Sequence, residues 1–180
     1  MKLDHIIDQA TLTAERIDLR PLRRSDKGLI ELYASDLQLA RMTTSIPHPL
    51  PPGLTEAFIA RAMAPERDTD VWAMDGTRMG GGEVLGLVRL KRLGGNQAEI
   101  GYWVAPLCRN TGLASEAVAA LLRDNPLGSE VIFASVFQDN PASARVLTQC
   151  GFVYLGDAES YSVARNANVP TWTYSRTLRL

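Results

Sequence analysis

Residues 98–114 read Ala98-Glu99-Ile100-Gly101-Tyr102-Trp103-Val104-Ala105-Pro106-Leu107-Cys108-Arg109-Asn110-Thr111-Gly112-Leu113-Ala114, and their order decides the fold. The first seven are strand-like, the middle is a tight turn, and an amphipathic helix opens at Gly112 and runs to Arg123. The first N–H groups of a helix have no partner within it, and with the helix dipole they form an anion site suited to a pyrophosphate. Gly112 removes the Cβ where a ligand must approach closely, and Ala114 keeps the next contact small. Arg109 adds a charge able to fork onto phosphate oxygens. The turn is not a P-loop, since no Gly-Lys-Ser/Thr follows, and two of the three Rossmann glycines are missing.

Working outward, Val84 to Leu90 reads as a strand that Gly94-Gly95-Asn96 turns back onto 97–104 as a hairpin. Val71 to Met74 is a short strand, and Gly80-Gly81-Gly82 a flexible turn. Arg16 to Arg20 alternates like a strand and stops at Pro21, after a mixed polar tail of weak helical character. Ser25 or Asp26 is placed to cap a helix carrying Leu29, Ile30, Leu32 and Tyr33. The prolines of 45–53 forbid helix, and a short helix follows from Thr55 to Met63.

Downstream, Val131 to Val136 is an apolar, β-rich run fit for a buried strand. Asn140 and Pro141 start a helix that Gly151 ends. Phe152 to Leu155 and Thr171 to Leu178 read as a closing pair of strands. The total is a mixed α/β chain, its antiparallel hairpin first and its strand–helix–strand units in the second half.

At 180 residues, with 46% hydrophobic and 22% charged residues, the chain predicts one globular domain over 16–180 behind a tail at 1–15. A net charge of −1 gives no global field toward nucleic acid or an anionic membrane. Cys108 and Cys150 provide no disulfide framework, no apolar run approaches a membrane span, and no leader is evident, so a cytoplasmic place is expected. His5 and His48 have no ligand-spaced partners, so no metal is expected.

Three residues invite chemistry. Glu99 shares a strand face with Gln97, Gly101 and Trp103. Such an acid suits a half-exposed sheet face, and equally a base drawing a proton from an amine, directly or through water. Ser143, third in its helix, shares a face with Leu147 and Cys150, and is either a capping partner or a donor aimed into a cleft. Cys108 adjoins the phosphate turn, where a helix start and Arg109 would favour its thiolate, but no Cys–His partnership makes it a nucleophile.

Together these pieces resemble the GCN5-related N-acetyltransferases (GNAT), and within them the RimJ/RimL branch. That family's acetyl-CoA turn, Arg/Gln-x-x-Gly-x-Gly/Ala, stands here as Arg109-Asn110-Thr111-Gly112-Leu113-Ala114. The branch's Glu-Ile-Gly-Tyr-Trp stands at 99–103, its Asn-Pro-x-Ser at 140–143, its Gly-Phe at 151–152, and its opening Leu-Arg-Pro-Leu at 19–22. The resemblance spans residues 16–180.

It implies a mixed, mostly antiparallel sheet of about seven strands, splayed in the middle, with helices on both faces. It implies acetyl-CoA as co-substrate, with its pantetheine along Trp103 and Val104, its pyrophosphate on Arg109, Asn110, Thr111, Gly112, Leu113 and Ala114, and Asn140 bonded to the pantetheine. Glu99 would take the proton of a primary amine that attacks directly, and Ser143 would help the thiolate leave. The partner is then an amine acceptor, a peptide N-terminus such as a ribosomal protein's or a small amine, met by a monomer or homodimer. Its mouth would be shaped by loop 43–55, the helix after it and the tip between Tyr161 and Pro170; Glu56, Asp157 and Glu159 are by default solvated surface acids, with attraction of a cationic amine as the alternative. The competing readings are a non-catalytic acyl-CoA sensor and an interaction domain with a degenerate cofactor site.

Overall fold

A computed structural model describes residues 9–178. The strands are β1 Leu12–Thr13, β2 Asp18–Pro21, β3 Thr69–Asp75, β4 Gly86–Gly94, β5 Gln97–Val104, β6 Val131–Phe137, β7 Val153–Ser162 and β8 Ala167–Thr177. The helices are α1 Lys27–Ala34, α2 Leu37–Arg41, α3 Leu54–Met63, α4 Leu113–Asp124 and α5 Pro141–Gln149. All eight strands form one sheet in the order β1-β2-β3-β4-β5-β6-β8-β7, in which β5–β6 is the parallel contact and the other neighbours are antiparallel.

The eighth strand, against the seven expected, is β1. It lies in the segment read as a helical tail, whose residues 1–8 fall outside the described ones. From Gln9 onward that segment is pinned to β3. The Gln9 amide donates to the Val71 carbonyl oxygen, and the Trp72 indole N–H donates to that of Ala10. The closing pair is also longer than its apolar residues suggest, because β7 and β8 continue as a polar hairpin to a turn at 163–166.

Alternation gives the sheet two faces. Ile30 of α1 and Ile59 and Ala62 of α3 bury against Val71, Ala73 and Leu87, with Trp103 packed alongside. On the other face, Leu113, Ala117, Val118 and Leu121 of α4 and Ala144 and Leu147 of α5 bury against Val88, Leu90, Ile100 and Ile132. The α4 positions recur at i, i+4, i+5 and i+8, the stripe of an amphipathic helix.

Asp26 does not cap α1, although it sits at the N-cap. Its fully buried carboxylate accepts both Arg20 Nη1 and Nη2 at 2.9 Å and the Arg23 N–H at 2.8 Å. A helix cap contributes ~1 kcal/mol, whereas the inward carboxylate accepts three hydrogen bonds, two of them from the Arg20 guanidinium that it shares with Asp75, and these contribute more. Asp26→Ala is expected to lower the unfolding free energy by about 1–3 kcal/mol in urea titration, because Arg20 keeps its 2.6 Å pair with Asp75 while its bonds to Asp26 and that of the Arg23 N–H are lost. A loss under 1 kcal/mol would show the pair to be dispensable.

Candidate active site

The parallel contact is short. β5 and β6 pair only at Gln97–Val131, Ala98–Ile132 and Glu99–Phe133. Beyond that ladder β5 continues to Val104 and β6 to Phe137 without facing each other. The backbone of 100–104 on that side is therefore open, and a wedge-shaped cleft of about 990 Å³ begins where Glu99 stands.

The turn expected to hold an anion lies along this cleft. Asn110 and Gly112 both have positive φ, 58° and 81°, so the chain folds sharply and delivers the α4 N-terminus to the cleft without a side-chain cap. Gly112 is required there by its left-handed φ. The Thr111 hydroxyl donates to the Cys108 carbonyl oxygen, and Arg16 Nη1 donates to that of Thr111 at 3.0 Å, which fixes the turn from both sides. The Arg109 guanidinium leans on α2, donating to Gln38 Oε1 at 3.0 Å and lying 3.5 Å from Asp36. Cys108 lines the cleft, but burial pushes its thiol up and Arg109 is turned away to α2, so the activating environment expected for it is not formed.

Cross-strand register assigns each remaining residue to a face. Leu87–Trp103, Arg89–Gly101 and Lys91–Glu99 are direct partners, so Glu99, Arg89 and Trp103 share the α1–α3 face. Glu99 is about one-third exposed and lies 3.9 Å from Arg89 Nη2. The opposite face carries Tyr102 and, from α5, Ser143. The Ser143 hydroxyl donates to Tyr102 Oη at 3.0 Å, and the Tyr102 hydroxyl donates to the Ser143 carbonyl oxygen at 3.0 Å. Burial pushes the Tyr102 phenol well above its ordinary value, so it is a neutral hydrogen-bonding group. Reading the sequence missed Tyr102 as a site residue. Alternation put it on one strand face with Ala98, Ile100 and Val104, and only the packing of α5 reveals its partner.

Asn140 caps α5, its Oδ1 accepting the Ser143 N–H at a long 3.4 Å. Its amide NH₂ makes no hydrogen bond among the described residues and lines the cleft. Trp103, Val104, Leu113 and Ala114 line it as well.

At the far end of the cleft the β7–β8 turn is latched to its neighbours. The Val163 N–H donates to the Thr44 carbonyl oxygen, which ties the β7–β8 turn to loop 42–53. The Arg165 guanidinium donates to both Asp139 carboxylate oxygens, at 2.6 and 3.0 Å, and to the Arg41 carbonyl oxygen, above the Phe137 ring. The three acids read by default as surface groups lie outside the cleft. Glu56 pairs with Lys27 at 2.6 Å, and Asp157 accepts from the Tyr154 hydroxyl. Neither these two nor Glu159 lines the cleft.

Among the described residues no group of three or more His, Cys, Asp or Glu side chains could hold a metal ion, and no helix is long and apolar enough to cross a membrane. His5 lies outside those residues.

The family model described as Acetyltransferase (GNAT) domain matches residues 16–153. The fold is similar to that of RimL, the ribosomal L7/L12 alpha-N-protein acetyltransferase, in complex with coenzyme A (TM-score 0.79, 14% identity, 94% of this chain and 98% of that one). It is similar to Mycobacterium smegmatis RimJ in complex with CoA-disulfide (TM-score 0.77, 22% identity, 93% and 87% covered). It is also similar to MccE, the microcin C7 self-immunity acetyltransferase, in complex with acetyl-CoA and AMP (TM-score 0.79, 14% identity, 91% and 93% covered). At these identities the likeness is one of fold. No curated protein matches the sequence.

Proposed function

The chain belongs to the GNAT acetyltransferase family, and on that premise we propose that it binds acetyl-CoA in the β5–β6 wedge and transfers the acetyl group to a primary amine by direct attack in a ternary complex. The observation that carries this reading is the ladder that stops at Glu99–Phe133. It leaves open strand backbone in line with an uncapped helix start, and places a carboxylate where the strands part. The four ordered motifs support the RimJ/RimL-like branch within the family, and the single domain we infer takes in the pinned segment from Gln9 as well as residues 16–180.

In this reading the diphosphate rests on the N–H groups of 110–114, and the pantetheine bonds the strand edge at Trp103 and Val104 and the amide of Asn140. The residues fit: the turn lacks a Cβ at Gly112, α4 lacks a cap, and the Asn140 amide has donors to spare. The amine approaches from the α1–α3 face. Glu99 takes a proton from the ammonium through a water, the freed nitrogen bonds to the thioester carbon, and the C–S bond breaks as the nitrogen's second proton is lost and ends on the coenzyme A thiol. The Ser143 hydroxyl, on the opposite face, turns from Tyr102 to the departing thiolate as a hydrogen-bond donor, giving up a bond worth ~1 kcal/mol. Tyr102 keeps Ser143 in place by its own bond to the Ser143 carbonyl oxygen. Much of the acceleration is the entropic gain of holding amine and thioester in line.

Incubation with acetyl-CoA and a panel of peptides and amines, reading free thiol and acetylated product, tests the proposal. Tight CoA binding without turnover on any acceptor would favour the sensor reading instead. Tyr102→Phe is expected to lower kcat by about tenfold, the loss of one positioning hydrogen bond, with the KM for acetyl-CoA unchanged. A rise in that KM with unaltered kcat would place Tyr102 in binding and not in positioning Ser143.

A further inference from the structure

Positive charges outnumber negative ones around the proposed base. The cleft wall carries four arginines, Arg61, Arg89, Arg109 and Arg145, and two acids, Glu99 and Asp139, in a chain whose net charge is −1. Asp139 is spent on Arg165 and Arg109 on α2. On the α1–α3 face, from which the amine must come, two arginines keep their donors.

Arg61 ends a cleft-lining stripe of α3 that runs Leu54, Phe58, Arg61, spaced i, i+4, i+7. Its guanidinium makes no hydrogen bond or ion pair among the described residues, and the first-turn acid of α3, Glu56, is taken by Lys27. Arg89 lies flat against β5, where a Cβ on Gly101 would come 2.8 Å from its Nε. At 3.9 Å from Glu99 it is in Coulombic contact but makes no hydrogen bond. Lys91, the register partner of Glu99, adds a third positive charge to this face.

We propose that the acceptor is a primary amine bearing a carboxylate a few bonds away, which Arg61 and Arg89 hold while Glu99 faces the amine. This rests on the acetyltransferase reading and names its substrate class. Guanidinium forks recognise a carboxylate in its own plane, and these two, Arg61 exposed on the cleft wall and Arg89 half-buried against β5, have donors free to do so. A second cation, as in a polyamine, would meet these same charges and be repelled. Both an acidic peptide N-terminus and a free amino acid meet the requirement.

The test measures kcat/KM with saturating acetyl-CoA for C-terminally amidated hexapeptides beginning Ser-Glu-Glu, Ser-Ala-Ala and Ser-Lys-Lys, for spermidine, and for free serine and glutamate. The carboxylate-bearing amines are expected to exceed the lysine peptide and spermidine at least tenfold, with the margin shrinking as salt rises from about 0.05 to 0.5 M. Peptide and free amino acid arms distinguish the two sources. Arg61→Glu is expected to cut or reverse the acidic-over-basic ratio at least tenfold while leaving the KM for acetyl-CoA unchanged. Equal turnover of all charges, preference for spermidine, or a ratio that Arg61→Glu does not move would overturn the proposal and leave the acetyltransferase reading standing. Absence of thiol release with every amine would overturn both.

Discussion

Glu99→Gln is expected to lower kcat by about 10²–10³-fold at pH 7, with the affinity for acetyl-CoA unchanged within about twofold. The amide keeps the shape of the carboxylate but accepts no proton, so an ammonium acceptor must lose its proton to solvent before it attacks. The loss is therefore pH-dependent. An α-amino group titrates near pH ~8, and above that the acceptor arrives already neutral, so the gap between variant and wild type narrows as pH rises. A purely structural role for Glu99 predicts the same loss at every pH. Arg89 is the group to watch, because it loses its anionic neighbour. Activity within threefold of wild type at pH 7 would remove Glu99 from the mechanism. The measurements are steady-state thiol release across pH and calorimetric titration of the variant with CoA.

Gly112→Asp attacks the other half of the reaction and is expected to raise the Kd for CoA by about 100-fold or more, or roughly 2.7 kcal/mol. Two effects act together. At φ 81° an L-residue costs about 1–2 kcal/mol, and the new Cβ comes within 3.3 Å of Arg16 Nη2. The carboxylate also brings a negative charge to the turn that is to hold the diphosphate. Gly112→Ala carries the strain without the charge, and is expected to weaken binding about tenfold. Equal effects of the two variants on affinity, measured by calorimetry, would mean that backbone shape alone matters and that no anion is bound at this turn. Retention of the CoA-induced rise in melting temperature by Gly112→Asp would be equally damaging.

Local rules determined much of this protein directly from the chain. The hairpin at Gly94-Gly95-Asn96, the Gly112 turn, the Pro141 helix start and the Gly151 stop are each fixed by the backbone freedom of one or two residues, and each stands where the sequence puts it. Hydrophobic period likewise fixed α3, α4 and β3 to β6. The polar continuation of β7 and β8 was not legible, because a hairpin stabilised by pairing and by Arg165 carries no apolar alternation to read.

What only the tertiary structure decided are relations between distant segments. The inward turn of Asp26 depends on the donors of Arg20 and Arg23, the bond between Tyr102 and Ser143 on how α5 lies against β5, and the latch at Arg165 on the approach of α2. The ladder's end at Glu99–Phe133 depends on two strands diverging after three pairs. Dihedral preference and periodicity act over a few neighbouring residues and are written in the chain itself. A side chain's partner across 41 or 124 positions is chosen by packing and by the cost of leaving buried polar groups unpaired, and those quantities exist only once the chain has folded.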